Sequence, residues 1–143
     1  MDNNASSYEF FNHTADVGLT ARGRSLPGLF DAAGRGLMAL LVDPATAHPG
    51  GIRERIRAEA PDRETLLVNW LNQILFLFSV QQMVFCRFHI RTLTDTFIEA
   101  EGEGELFDPG RHAVLREVKA ATFRELDIKE SSGIWQTKVV FDV

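Results

Sequence analysis

The chain has one cysteine, Cys86, and one tyrosine, Tyr8, in 143 residues. A lone thiol excludes an intrachain disulfide, and the paired Cys/His spacing of a zinc finger is missing. Long apolar runs are missing too. The longest, Ile74-Leu75-Phe76-Leu77-Phe78, falls far short of the ~20 residues that span a bilayer. Met1-Asp2-Asn3-Asn4-Ala5-Ser6-Ser7 carries neither the basic nor the apolar part of a signal peptide, so a cytoplasmic protein with no membrane partner is expected. Residues 1–7 are expected to be disordered. An excess of positive charge is also lacking: the formal net charge is −5. Proteins that hold nucleic acid by neutralising phosphates need a basic surface, so RNA is expected to be met only indirectly, through a partner. No Gly-x-Ser-x-Gly occurs. Gly102-Glu103-Gly104 opens no helix, and its flanking carboxylates would repel a phosphate.

What is present suffices for one core. Hydrophobic residues make up 45% of the chain and include 11 Phe, and no repeat or long linker interrupts it. A single domain over residues 1–143 is expected, as a monomer or weak oligomer. Residues 8–13 and 17–21 read as strands around a turn at Thr14-Ala15-Asp16. Ser25 offers an N-cap and Pro27 a first-turn residue to an amphipathic helix running to about Val42. Residues 52–60 alternate strictly as a half-exposed strand, and Pro61-Asp62 starts a helix over 63–81 with Leu67, Trp70, Leu71, Ile74, Leu75 and Phe78 as its buried stripe. Further strands are predicted at 84–90, 96–105, 113–118, 122–130 and 134–143, with turns at Asp108-Pro109-Gly110 and Ser131-Ser132-Gly133. The expected class is α+β, a two-layer sandwich of two helices on a largely antiparallel sheet.

His13-Thr14-Ala15-Asp16 places an imidazole and a carboxylate on one turn, and both are competent metal ligands. Such pairs are common, so on spacing alone a turn bonded to its own backbone is favoured. The chain end is more informative. An apolar strand, Lys138-Val139-Val140-Phe141, runs straight into Asp142-Val143. There the Asp142 side chain and the terminal carboxylate repel unless a cation or basic side chain lies between them, or unless solvent screens them. If the Asp16 turn adjoined this end, hard oxygen donors would converge. That favours Ca²⁺, Mg²⁺ or Mn²⁺, while His13 shifts the preference towards Mn²⁺ or Zn²⁺.

Glu99, Glu101, Glu103 and Glu105 share one strand face, as do Arg53, Arg55 and Arg57. Both stripes read as solvated faces and candidate cross-strand neighbours; the basic one is also a candidate dock for RNA or an acidic partner. Cys86, beside Phe85 and Phe88, reads as core. His48, His89 and His112 show no acid–base partner in the sequence.

Several segments together resemble the archease family over almost the whole chain. They are Phe11-Asn12-His13-Thr14-Ala15-Asp16-Val17-Gly18-Leu19, Ser25-Leu26 with Leu29-Phe30, and Leu66-Leu67-Val68-Asn69-Trp70-Leu71-Asn72. Gly104-Glu105 before Asp108, Val118-Lys119-Ala120-Ala121-Thr122, and Val139-Val140-Phe141-Asp142-Val143 complete the set. The resemblance implies a non-enzymatic accessory of an RtcB-type RNA ligase, promoting ligase guanylylation and turnover in tRNA splicing and RNA repair. It also implies a divalent metal ion, Ca²⁺ foremost, held by Asp16, Asp142 and Val143 with His13, and Lys119 in electrostatic support. After Lys-Ala-x-Thr the family often has Tyr-His, where this chain has Phe123-Arg124. A cationic Arg124 would compete with a metal or pair with its carboxylates. Two other functions suit the same residues: a stand-alone metal-dependent phosphoesterase with His13 as base, and a chaperone-like binding module.

Overall fold

A computed structural model describes residues 6–13, 16–124 and 126–143; residues 1–5, Thr14, Ala15, Glu125 and the His13 side chain lie outside the described set. The elements in order are β1 (Ser6–His13), β2 (Asp16–Gly23), α1 (Leu26–Leu41), a 3-10 turn (Pro44–Thr46), β3 (Ile52–Glu59) and α2 (Arg63–Gln81). Then follow β4 (Met83–Leu93), β5 (Phe97–Leu106), β6 (Ala120–Thr122), β7 (Lys129–Ser131) and β8 (Ile134–Asp142).

Both helices start where their caps dictate. Ser25 Oγ accepts from the Gly28 N–H at 3.1 Å, and Asp62 Oδ1 accepts from the Thr65 N–H at 2.8 Å, satisfying donors that a first turn leaves open. Helix α2 stops at Gln82, whose left-handed backbone (φ 59°) lets its N–H reach the Leu77 and Phe78 carbonyls.

The α+β class, with two helices against antiparallel strands, holds. The strands divide into two sheets, one ordered β1-β2-β8-β6 with β7 also on β8, the other β3-β5-β4. Helix α1 lies against β1 and β2 of the first sheet and β4 of the second, while α2 covers β3 and reaches β6. One continuous core results, with Leu19, Phe30, Trp70, Ile74, Phe85 and Phe141 fully or almost fully buried. Trp70 also donates its indole N–H to the Phe30 carbonyl at 3.0 Å, tying α2 to the backbone of α1.

Four local expectations are corrected. Ser6 and Ser7, expected to be disordered, open β1: they pair with Gly23 and Arg22, and Ser6 Oγ bonds Asp31 and Arg35. Residues 113–118 form no strand, because the available neighbour is the end of α1; Val114 makes one bridge to Val42, and the Leu115 N–H bonds the Leu41 carbonyl. The strand expected over 122–130 is split into β6 and β7. Thr122 lies opposite Val140 and Lys129 opposite Gln136, so the described residues 123–124 and 126–128 outnumber residues 137–139 that they pass and bow away from β8. Cys86 sits where β4 slips register between Phe85 and Arg87, and this leaves it half-buried outside the core.

Replacing Trp70 with Phe removes the indole donor and leaves a void, so the denaturant midpoint should fall by the equivalent of about 1–3 kcal/mol. Asp62 carries a pH signal. The Thr65 N–H, and then its hydroxyl, hold the Asp62 carboxyl below the usual range of an aspartate. A depressed folded pKa gives stability that is present above the unfolded pKa and lost as pH falls through the folded one. Asp62→Asn keeps the cap but not the titration. Its thermal midpoint should therefore fall less than that of the parent chain between neutral pH and the acid limb.

Candidate functional site

Strand β8 runs through the first sheet with β2 on one edge and β6 and β7 on the other. Its Val139 and Phe141 are fully buried, as is Leu19 of β2, and Val17 and Ala21 of β2 face the same core. Alternation then sends Asp16 and Gly18 of β2, and Val140 and Asp142 of β8, to the opposite face. Val17 pairs with Phe141; in the same register the next positions are Asp16 and Asp142. His13 pairs through its backbone with Asp16, and Ala120 of β6 with Asp142. One row thus crosses four strands and brings together segments from both ends of the sequence.

Beside this row, Phe11 of β1 lies across Gly18, and a Cβ at Gly18 would run into the ring. Lys138 Nζ lies 5.5 Å from the Phe11 ring centroid, within cation–π range. The Gly18 in His-Thr-Ala-Asp-Val-Gly therefore gives the aromatic ring its place against the sheet.

The outward bow after β6 delivers Arg124. Its N–H donates to Thr122 Oγ1 at 3.3 Å, and the Thr122 hydroxyl donates to the Val140 carbonyl at 2.8 Å. The guanidinium then spans the two aspartates, with Nη1 2.8 Å from Asp16 Oδ2 and Nη2 2.5 Å from Asp142 Oδ1. The Asp16 side chain is 17% exposed, against 47% for Asp142 and 50% for Arg124. The clamp is therefore open to solvent on one side. These are short, charge-assisted bonds made by one planar fork, which holds two like charges on neighbouring strands.

Of the expected site residues, Asp16 and Asp142 are brought together. Val143 follows directly and is 40% exposed. The His13 side chain lies outside the described residues, so its expected role as a ligand stays with the sequence argument. Lys119 adjoins the pair through its backbone, its N–H donating to the Asp142 carbonyl at 2.8 Å. Its side chain is exposed, and its Nζ enters none of the ion pairs found among the described residues. Among those residues no group of three His, Cys, Asp or Glu could hold a metal ion. In kind, two facing carboxylates fit a hard cation; in place, Arg124 already fills the gap between them.

Asn72 has a role that the sequence reading did not assign. Its Oδ1 accepts from the Ala121 N–H at 2.9 Å, securing the outer edge of β6 and with it the approach of Arg124. The available signal was an amide within an otherwise apolar helix stripe. His112, read as having no partner, is buried with Nε2 3.0 Å from Glu105 Oε2. Its Nδ1 accepts from the Asp108 N–H, so the proton sits on Nε2. Glu105 also accepts from the His48 N–H and pairs with Arg111. This saturated cluster ties the loop after β5 to the sheet, and it corrects the expectation that Glu105 is solvated.

Residues 8–143 match the Archease protein family (MTH1598/TM1083). A protein archease of Methanosarcina mazei is 32% identical over 148 residues, covering 100% of each chain. One from Aeropyrum pernix is 34% identical over 137 residues, covering 92% of this chain and 93% of its own. The solution structure of Methanobacterium thermoautotrophicum protein 1598 superposes with a TM-score of 0.74 at 26% identity, covering 96% of this chain and 99% of that one. The crystal structure of a Thermotoga maritima archease, described as a possible chaperone, shares the fold with a TM-score of 0.66 at 19% identity, covering 93% and 94%. Family profile, full-length relatives and fold agree: the chain belongs to the archease family.

Proposed function

We propose that this archease is a non-enzymatic accessory protein that activates an RtcB-type RNA ligase, with the Asp16–Asp142 pair as its working end. The observation that carries the reading is the clamp itself. Two carboxylates from distant segments face each other across neighbouring strands, and the cation between them is a half-exposed side chain on a bowed-out loop. Such a cation is displaceable. Membership of the archease family supports the reading, since the resemblance in the sequence implies a ligase partner for such a site.

In this reading Asp16 and Asp142 would hold a divalent ion, Ca²⁺ foremost, with Mg²⁺, Mn²⁺ or Zn²⁺ as alternatives. Val143 and His13 would contribute to the same site. Such an ion would supply positive charge to the phosphates of the guanylyl donor. Arg124 holds the two carboxylates together and would compete with any cation for them. Lys119, fixed by backbone to Asp142, adds positive charge near the rim. A stand-alone phosphoesterase would need His13 as its general base; hydrolysis of model phosphoesters by the protein alone, lost on adding a chelator, would select it.

A chaperone-like role towards other clients is the second reading. The Thermotoga relative is described in those terms, and here Leu106, Val114 and Leu115 each expose more than half of their surface. Suppression of aggregation of unrelated clients, unchanged by Asp16→Ala, would select it.

Two outcomes are expected. In a guanylylation assay of an RtcB-type ligase with GTP, the parent chain should raise the rate at least tenfold. Asp16→Ala, and separately removal of Asp142-Val143, should abolish that gain while Asp16→Ala keeps a parent-like circular dichroism spectrum. Arg124→Ala frees the carboxylates, so Ca²⁺ or Mn²⁺ titrated calorimetrically should bind at least about tenfold tighter, as expected when a competing charge-assisted pair of ~1.5–3 kcal/mol is lost. Equal affinity in parent and variant would sever Arg124 from the metal reading.

A further inference from the structure

The second sheet has a charged outer face that the acidic pair does not involve. Register stacks three rows across it: Arg53–Glu103–Arg87, Arg55–Glu101–His89, and Arg57–Glu99–Thr92, with Arg91 in the bulge beside the last. The two kinds of charge stand at different heights. Arg53, Arg55, Arg57, Arg87 and Arg91 are 52–67% exposed, whereas Glu99, Glu101 and Glu103 are 10–26% exposed. Glu103 is gripped from both flanking strands, by Arg53 at 3.1 Å and Arg87 at 3.0 Å, while Glu99 takes Arg55 and Arg57 of β3. Glu101 is held by Arg53 at 3.4 Å and Arg91 at 3.1 Å. Five guanidiniums over three carboxylates leave two positive charges in excess, and all five stand outermost. Glu59, one step beyond Arg57 on the strand, marks the end of the cationic surface.

We propose that this face binds the phosphodiester backbone of a nucleic acid without reading its bases. The recessed glutamates act as a template: they splay the arginine stems into two files, on β3 and β4, about 10 Å apart, with successive arginines of β3 about 7 Å apart. Each guanidinium spends part of its five-donor fork on a glutamate and turns the rest to solvent, and that fork matches phosphate oxygens. All the exposed side chains with permanent positive charge here are arginine, none lysine.

The composition of the three rows selects the partner. Protein docking patches are built around buried aromatic or aliphatic anchors, and these rows hold no apolar side chain. With no Phe, Tyr or Trp in the rows and His89 the one ring among them, base stacking is a minor contribution and backbone charge dominates. The chain's net charge of −5 led to the expectation that RNA is met only through a partner. That expectation rests on the net balance, whereas here positive charge is gathered on the face that carries the Arg53, Arg55 and Arg57 stripe. The face lies on the other sheet from Asp16 and Asp142, so its test is independent of the ligase reading.

The experiment is fluorescence anisotropy of the full chain with a labelled uridylate oligomer of about 20 nucleotides, from about 25 to 200 mM salt. Saturable binding is expected at low salt, with log K falling against log salt at a slope of about −2 to −3.5, as three to five phosphate contacts on a single strand require. The triple variant Arg53→Gln, Arg55→Gln, Arg57→Gln should weaken binding at least tenfold and flatten the slope by about 2. Glu101→Gln removes a recessed negative charge and should tighten binding severalfold, a change that lost folding would not produce. A thymidylate oligomer should bind about as well. Should the triple variant fail to fold, as judged by circular dichroism, Arg55→Gln and Glu101→Gln decide, moving affinity in opposite directions. No binding at the lowest salt, or affinity indifferent to these substitutions, overturns the proposal. So does polyglutamate or a phosphatidylserine vesicle bound as tightly as RNA, which would reassign the face to an acidic protein or a membrane.

Discussion

Strand β8 is hydrogen-bonded on both edges, to β2 along one side and to β7 and β6 in turn along the other. A strand held in this way has little freedom to slide, since a slip of one residue would drive Phe141 and Val139 to the outer face and Asp142 into the core. Burying these two side chains is worth several kcal/mol, while inserting an unpaired carboxylate costs more still. The register of β8 follows, and the outward direction of Asp142 with it. Asp16 faces the same way because β2 obeys the same alternation against the same core. Apolar packing on one side of the sheet thereby fixes the acidic chemistry on the other.

Electrostatics then works within that frame. Two carboxylates forced onto adjacent strands would destabilise the sheet if left alone. Arg124 answers this with one fork, and the Thr122 hydroxyl and the Asn72 amide steer the loop that carries it. The second sheet solves the opposite problem by the same means: its glutamates neutralise part of a crowded arginine surface from beneath. In both places a mixed-charge arrangement keeps like charges together without burying any of them unpaired.

Helix caps and periodicity were readable in the sequence because they are local. Ser25 and Asp62 announce their helices, and the stripe through Trp70 and Ile74 names its buried side. The cross-strand match of Arg53, Arg55 and Arg57 with the glutamates of β5 was also legible, since equal periods of opposite sign suit neighbouring strands. The burial of Glu103 and Glu105 was not, because it depends on arginines from β4 and on the loop bearing His112. Residues 113–118, expected as a strand, find a single bridge partner at Val42 beside the end of α1, a fact of tertiary placement that local sequence cannot carry. The split of the 122–130 segment came from unequal spans between two pairing registers on β8. The juxtaposition of Asp16 with Asp142 was reached through the family resemblance; spacing around Asp16 alone favoured a local turn, and the acidic chain end left a cation, a basic side chain or solvent screening open.

The pairing of β2 with β8 joins segments separated by nearly the whole chain, whereas β1 with β2 and β4 with β5 are sequence neighbours. Contacts of such long separation bear the largest loop-closure entropy and slow the folding of domains that rely on them. A molecule in which β8 has not yet docked can hold both hairpins and both helices, yet it has no facing carboxylates at all. The acidic pair is therefore a marker of completed folding, present only once the most distant parts of the sequence have met.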